Sequence, residues 1–419
     1  MRIPVLAAVV LFVLSFLIDV YIYSDVRTAT RKRGARLAYI VSTLLCWSLL
    51  VVIMCMPKRS EESDLLPVMW MLYTYLSIYM GKIGYVLCSL AGRLGSLFAK
   101  KKSYPSYRRK APRRGSRICG VVVGGLLFLS MWWGVIYTRN HIEVVPIEVS
   151  SAQIPESFNG YRIVQISDLH VGTWGNDTSF ISELVDSVNS LHPDLIVFTG
   201  DLVNRHTKEM VPFISELSRL KAPDGVLSIL GNHDYGDYMN WKTPADRERN
   251  NKLMAIYQKK MGWDLLNNTR RFIVNGADSI VVIGVENVGD APFPIYGDLE
   301  KALPSSRDSI FHQNDNRFKI LLTHNPAHWE MEVADNTNIG LTLSGHTHAM
   351  QVETNLFGWK WSPAQFRYEL WGGYFNRLNK QGRPVGLYVN IGAGEVGMPA
   401  RLFRAYPEIT LITLRHADK

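Results

Sequence analysis

The chain has 419 residues, 47% of them hydrophobic, and a formal net charge of +9; a length of this order suggests two to three domains. The charge is unevenly spread: residues 1–137 hold 19 Lys plus Arg against 5 Asp plus Glu and the remainder 27 against 32, so the basic character belongs to the first third. All four cysteines (Cys46, Cys55, Cys88, Cys119) lie there too, which excludes a disulfide framework or a cysteine-based zinc site from the last 300 residues.

Four apolar runs, near 3–23, 37–56, 65–98 and 118–137, define a transmembrane region over 1–137, since about 20 residues suffice to cross a bilayer as a helix. The first run follows Arg2 but lacks a small-residue cleavage site, so it reads as an uncleaved anchor. Asp19 and Lys82 interrupt spans one and three. Near a helix end such groups are expected to reach the headgroups, with a transport path as the alternative. The loops at 27–36 and 100–117 are strongly basic, whereas the loop at 58–64 is mixed. By the positive-inside rule the two basic loops face the cytoplasm. The expectation is a multi-pass protein of the cell (inner) membrane, held in membrane lipid by these helices, with everything after Tyr137 on the extracytoplasmic side. The same topology and attraction to anionic lipid account for the Lys/Arg run, so no nucleic-acid partner is expected.

A juxtamembrane linker and first strand follow over 138–154, with alternating residues at 142–149. From 155 to 419 the pattern is that of one mixed α/β domain. Strands at 162–167, 195–199 and 225–231 alternate with helices near 178–191 and 209–220. A polar helical stretch covers 244–260, and further strands are expected at 271–274, 280–285, 319–323, 341–344, 386–391 and 408–414. Five strand ends carry metal-ligand side chains: Asp168-Leu169-His170, Gly200-Asp201, Gly231-Asn232-His233-Asp234, His324 and Gly345-His346-Thr347-His348. Carboxylates and imidazoles without thiolates suit harder divalent cations such as manganese, iron or zinc. Two Asp, one Asn and four His exceed what one ion needs. A pair of ions about 3.5 to 4 Å apart is the arrangement that clamps the attacking and leaving oxygens of a phosphoryl centre.

The series D-x-H, GD, GNHD, a lone His and GHTH resembles the calcineurin-like metallophosphoesterase superfamily, in particular its membrane-attached YkuE/YaeI-like branch. The similarity covers about residues 155–414, with supporting matches at Gly392-Ala393-Gly394, Pro399, Arg401 and Pro407-Glu408. It implies a four-layer α/β/β/α sandwich of two mixed sheets flanked by helices. It also implies that Asp168, His170, Asp201 and His348 hold one ion while Asp201, Asn232, His324 and His346 hold the other, with Asp201 the bridge. By the same resemblance His233 is no ligand but stabilises or protonates the leaving oxygen, and Asp234 orients His233. The sequence departs from the branch at GHTHGGQ, where Ala349-Met350 replace two glycines before Gln351, and side chains there are expected to narrow access beside His348.

The stretch 357–375 is unusually aromatic (Phe357, Trp359, Trp361, Phe366, Tyr368, Trp371, Tyr374, Phe375). Core and rim of the second sheet is one reading; an apolar wall for a lipid-linked substrate, or a surface leaning on the bilayer, is the other. The expected function is a membrane-anchored, two-metal phosphoesterase, with a phosphodiester the expected bond, acting through a bridging hydroxide on an envelope or lipid-linked substrate. The rivals are a metal-binding membrane sensor or scaffold, and a pyrophosphatase of a nucleotide-linked lipid precursor, which requires the opposite topology.

Overall fold

The computed structural model describes residues 5–56, 65–98, 114–290, 294–303 and 317–418. The mixed loop at 58–64 and most of the basic loop at 100–117 lie outside them. The chain divides into two units, Met1–Ile136 with Gly397–Ala400, and Tyr137–Val396 with Arg401–Lys419.

In the first unit the apolar runs form α1 (Val5–Ala29), α2 (Arg33–Cys55), α3 (Leu66–Phe98) and α4 (Arg114–Ile136). Among the described residues three helical stretches, Leu6–Ala29, Arg33–Cys55 and Arg114–Asn140, are long and apolar enough to cross a membrane. The remaining helix, α3, turns Tyr73, Tyr75 and Tyr79 inward. Lys82 of α3 lies 2.7 Å from the buried carboxylate of Asp19, which also accepts from Tyr39 (2.8 Å), Tyr79 (2.7 Å) and Trp47 (3.2 Å). The expectation that Asp19 and Lys82 reach the headgroups is therefore corrected. In an apolar surround a charge is retained where it is paired and hydrogen-bonded, and here the pair ties α1, α2 and α3 together. A second knot joins Asp25 of α1 to Ser89 and Arg93 of α3.

In the second unit the period changes from helical to alternating. In chain order come β1 (Glu143–Ser151), β2 (Arg162–Ile166), α5 (Ser179–Ser190), β3 (Leu195–Phe198), α6 (Ile214–Leu217), β4 (Val226–Ser228), α7 (Pro244–Lys260) and β5 (Trp263–Leu265). Next are β6 (Thr269–Asn275), β7 (Asp278–Gly284), α8 (Leu299–Ala302), β8 (Lys319–Leu322), β9 (Leu341–Ser344), β10 (Val352–Leu356) and β11 (Trp359–Trp361). The chain closes with β12 (Gly373–Leu378), β13 (Pro384–Val389), β14 (Leu402–Phe403) and β15 (Glu408–His416).

Two six-stranded mixed sheets result, ordered β1-β15-β2-β3-β4-β5 and β12-β13-β9-β8-β7-β6, with a small sheet β11-β10-β14 beside them. Ile163, Val197, Leu227, Val282, Ile320 and Ile412 pack between the large sheets. The stripe Phe180, Ile181, Leu184, Val185 and Val188 of α5, with Met254 of α7, covers the outer face of the first sheet. Leu299 of α8 with Trp329 and Val333 covers that of the second. This is an α/β/β/α sandwich. Its register sets the site: Ile166 pairs with Phe198 and Phe198 with Ser228, while Leu322 pairs with Leu343. The loops carrying Asp168, Asp201 and Asn232 thus leave one sheet together, and those carrying His324 and His346 leave the other.

Candidate metal centre

At these strand ends the backbone turns sharply. Asp168, His170, Asp201, His346 and His348 have φ of 53°, 42°, 59°, 78° and 51°. That left-handed region disfavours side-chain-bearing residues and costs on the order of 1–3 kcal/mol each where it is enforced. The neighbouring glycines explain how the carboxylates fit. A Cβ on Gly345 would lie 2.2 Å from Asp168 Oδ2, and one on Gly231 would lie 2.2 Å from Asp201 Oδ1. Gly345→Ala is accordingly expected to displace the Asp168 carboxylate and lower metal content and turnover by about 10- to 100-fold, the scale of a disturbed ligand support. Metal analysis of the purified variant checks it.

All seven expected ligands converge. His348 Nε2 lies 3.2 Å from Asp168 Oδ1 and 3.0 Å from His170 Nε2, and His170 Nε2 is 3.5 Å from Asp201 Oδ2. The same Asp201 oxygen is 3.2 Å from His324 Nε2, which is 3.1 Å from Asn232 Oδ1 and 3.2 Å from His346 Nδ1. Two groups, Asp168-His170-His348 and Asp201-His324-His346, each bring their ligand atoms within 4.8 Å of one another.

The protons show why this set suits cations. His170 Nδ1 meets the Val203 carbonyl at 3.1 Å and His324 Nδ1 the Thr199 carbonyl at 2.8 Å. Each of those nitrogens donates, so Nε2 is the ligating atom of both rings, bare on His170 and, on His324, available once its second proton is lost. Asn232 Nδ2 donates to Tyr238 Oη at 2.8 Å, which turns Oδ1 inward, and His346 Nε2 meets Tyr368 Oη at 2.8 Å, which leaves Nδ1 facing His324. Once that His324 proton is gone, lone pairs packed 3.0–3.5 Å apart repel. Divalent cations relieve that repulsion, and the outer hydrogen bonds fix the tautomers as ligating imidazoles require.

His233 sits beside this cluster. Its backbone N–H donates to Asp201 Oδ1 (2.8 Å), its Nδ1 to the Asn204 carbonyl (2.6 Å), and its ring stacks on Tyr238 at 4.3 Å. Nε2 is left toward the site. Burial pulls the imidazole below its ordinary pKa, against the pull of the Asp201 carboxylate. The expectation that Asp234 orients His233 is corrected, because its carboxylate accepts from four backbone N–H groups: Asp201 (2.9 Å), Leu202 (2.9 Å), Val203 (3.2 Å) and Gly231 (2.9 Å). Asp234 is the clamp of the Asp201 loop. The Asn204 carbonyl and Tyr238 hold His233.

Sequence reasoning missed Tyr238 and the Val203, Asn204 and Thr199 carbonyls, since a backbone acceptor has no residue signature. It named Tyr368 only as part of an aromatic stretch. At the departure from the GHTHGGQ pattern, Ala349 and Met350 adopt φ of 50° and 47°. Ala349 is buried, and Met350 is exposed rather than lying over His348. The left-handed turn is kept without the glycines that tolerate it. Met350→Gly is therefore expected to stabilise the fold by about 1 kcal/mol, read as a rise in thermal midpoint, because the relief of left-handed strain exceeds glycine's entropy penalty.

With fold and site in view, comparison with known proteins is consistent along the whole chain. Residues 161–350 match the family described as "Calcineurin-like phosphoesterase", and residues 1–139 match "Probable Calcineurin-like phosphoesterase, transmembrane domain". The chain is 30% identical over 309 residues to the uncharacterized metallophosphoesterase YkuE of Bacillus subtilis, covering 71% of this chain and 95% of that protein. It belongs to the calcineurin-like phosphoesterases, hydrolases of phosphoester bonds. Within them it is a membrane protein. A Danio rerio "Transmembrane protein with metallophosphoesterase domain" is 27% identical over 430 residues, covering 97% of this chain and 89% of that one. "UDP-2,3-diacylglucosamine pyrophosphatase LpxG" of Chlamydia muridarum is 38% identical over 249 residues, covering 51% of this chain and 72% of its own length.

Proposed function

We propose that this protein is a membrane-anchored, two-metal phosphoesterase acting on an envelope or lipid-linked phosphoester. The observation that carries the reading is one oxygen, Asp201 Oδ2, facing His170 at 3.5 Å and His324 at 3.2 Å. Asp168, His170, Asp201 and His348 would hold one divalent ion and Asp201, Asn232, His324 and His346 the other, with manganese, iron or zinc as candidates. Such a pair, when bound, supplies Lewis-acid charge to the phosphoryl oxygens and lowers the pKa of a water between the ions.

The rest of the chemistry belongs to the chain. Asn204 fixes the His233 proton on Nδ1, so Nε2 exchanges a proton with the leaving oxygen, and a protonated His233 acts as its general acid. Tyr238 and Asn204 keep the ring facing that oxygen. The full-length protein, stripped of metal and resupplied with manganese, zinc or iron, should hydrolyse a chromogenic phosphodiester faster than a phosphomonoester, and His233→Ala should lose that turnover while binding metal normally. Two bound ions without turnover in the wild type would sink the catalytic reading.

Metal loading should also depend on pH. Burial opposes protonation of His324, but the Asp201 carboxylate overrides it and holds the imidazole up to about 9 in the metal-free site. The raised pKa means that below about 9 a cation must displace this proton. Apparent affinity should then rise about tenfold per pH unit until His324 loses its proton, as for any ligand that must deprotonate. A slope of zero between pH 6 and 8 in competition titrations rejects this.

The basic loops at 27–36 and 100–117 support an extracytoplasmic catalytic domain. The name of the Chlamydia relative supports a second reading, cleavage of a pyrophosphate in a nucleotide-linked lipid, for which the domain must face the nucleotide pool. A reporter fused after Lys419 separates the two. Alkaline phosphatase activity favours the first, and cytoplasmic fluorescence without phosphatase activity favours the second.

A further inference from the structure

The aromatic stretch divides: Phe375 packs against the core of the second sheet, whereas the β10–β11 hairpin stays outside it. β10 leaves the His348 turn directly, reverses at Phe357-Gly358 and returns as β11, with Leu356 opposite Trp359. Both loop residues have positive φ, 54° and 86°, as in a two-residue hairpin turn that ordinarily takes Asn, Asp or Gly first. Phe occupies that first position and is fully exposed, at 107% of its reference area, while Leu356 and Trp359 beside it are 61% and 65% exposed. Phe366 and Phe403 are exposed as well, at 80% and 51%. A domain surrounded by water gains nothing from a bulky aromatic in a disfavoured backbone region with no protein contact. Exposed apolar surface gathered on one hairpin tip marks an interaction site.

The position of the hairpin selects the partner. β10 pairs with β14, Val352 with Leu402 and Glu353 with Phe403. β14 in turn packs against Thr138–Asn140, the first turn after α4, and the same strip is fastened by the His141–Tyr406 ring contact at 4.7 Å and the Arg404–Glu143 ion pair at 3.3 Å. Tyr137 is the residue covalently after Ile136, where a membrane-crossing helix ends. Leu356 lies three residues beyond Glu353, about 10 Å along the strand. The exposed tip at Phe357 is thus about 13 Å along β10 from the residue that pairs with β14. Its composition of Phe, Leu and Trp followed by Lys360 matches the interfacial zone, where aromatic rings and a cation sit at headgroup level.

We propose that the β10–β11 hairpin dips into the bilayer interface, with Leu356, Phe357 and Trp359 among the headgroups and upper acyl chains. This contact is independent of the chemistry at the metal centre.

The test uses the full chain with its four cysteines replaced by alanine, one molecule per nanodisc of phosphatidylethanolamine and phosphatidylglycerol. A nitroxide is attached through Phe357→Cys, through Trp359→Cys, or through a control, Val274→Cys, exposed on β6. Collision with oxygen and with a water-soluble nickel chelate is read by power saturation. The expected result is several-fold less nickel collision and more oxygen collision at 357 and 359 than at 274. Nickel access equal to that at 274 overturns the proposal. So does protection from both reagents at 357, which would mean a protein partner on the tip.

Discussion

Asp201→Asn is expected to abolish turnover and empty both proposed metal positions, because one carboxylate oxygen faces a histidine of each ligand group. The change keeps size and shape but removes the negative charge that, on the proposed reading, two cations would share, and it points an amide at one or other imidazole. Loss of a hydrogen bond behind a ligand costs about 10- to 100-fold in affinity. A shared inner ligand should therefore cost more than about 100-fold at each position, and turnover should fall by about 10^3-fold or more. Asp168→Asn touches one group only, so it should leave the Asp201-His324-His346 group able to bind its ion. Metal content by mass spectrometry distinguishes the two patterns: none retained in Asp201→Asn, about one equivalent in Asp168→Asn. If Asp201→Asn kept both ions, Asp201 would not be the bridge, and the sites would have to be held by separate ligand sets.

Much of this arrangement was legible in the chain because parallel strands write a simple rule. A run such as Leu195 to Phe198 is apolar at every position since both its faces are buried, and metal-ligand side chains within the next few positions lie at the sheet edge. Asp168, Asp201, Asn232, His324 and His346 were found that way. The rule says nothing about strands whose neighbours are distant in sequence, so β5 with three residues and β14 with two gave no pattern to read. It is equally silent about carbonyl acceptors. The expectation that Asp234 orients His233 came with the family resemblance, and the structure instead turns its carboxylate onto four backbone N–H groups. In the membrane unit the converse failure occurred. Asp19 and Lys82 stand 63 residues apart, and no local pattern pairs them.

Asp234→Asn should destabilise the catalytic unit by about 3–5 kcal/mol, more than an isosteric change ordinarily costs, and should weaken metal binding without touching a ligand. Burial and the neighbouring Asp201 charge push the Asp234 carboxyl up to about 7, while four N–H donors hold its ionised form, so the comparison belongs at pH 8. An asparagine can accept from Leu202 and Val203 with its carbonyl, but its amide then meets the N–H groups of Asp201 and Gly231 head-on. Two buried donors lose their acceptor, each at about 1–3 kcal/mol. The strain falls on the loop that sets the φ of Asp201 and carries the Asn204 carbonyl behind His233. Asp234→Ala lacks the opposing amide, leaves room for water to accept from the N–H groups, and should be the milder variant despite removing more atoms. Urea unfolding of both, with and without manganese, reads the order directly. Should Asp234→Asn prove as stable as the wild type at pH 8, the carboxyl must be protonated there, and the clamp would be a neutral acid rather than a charged one.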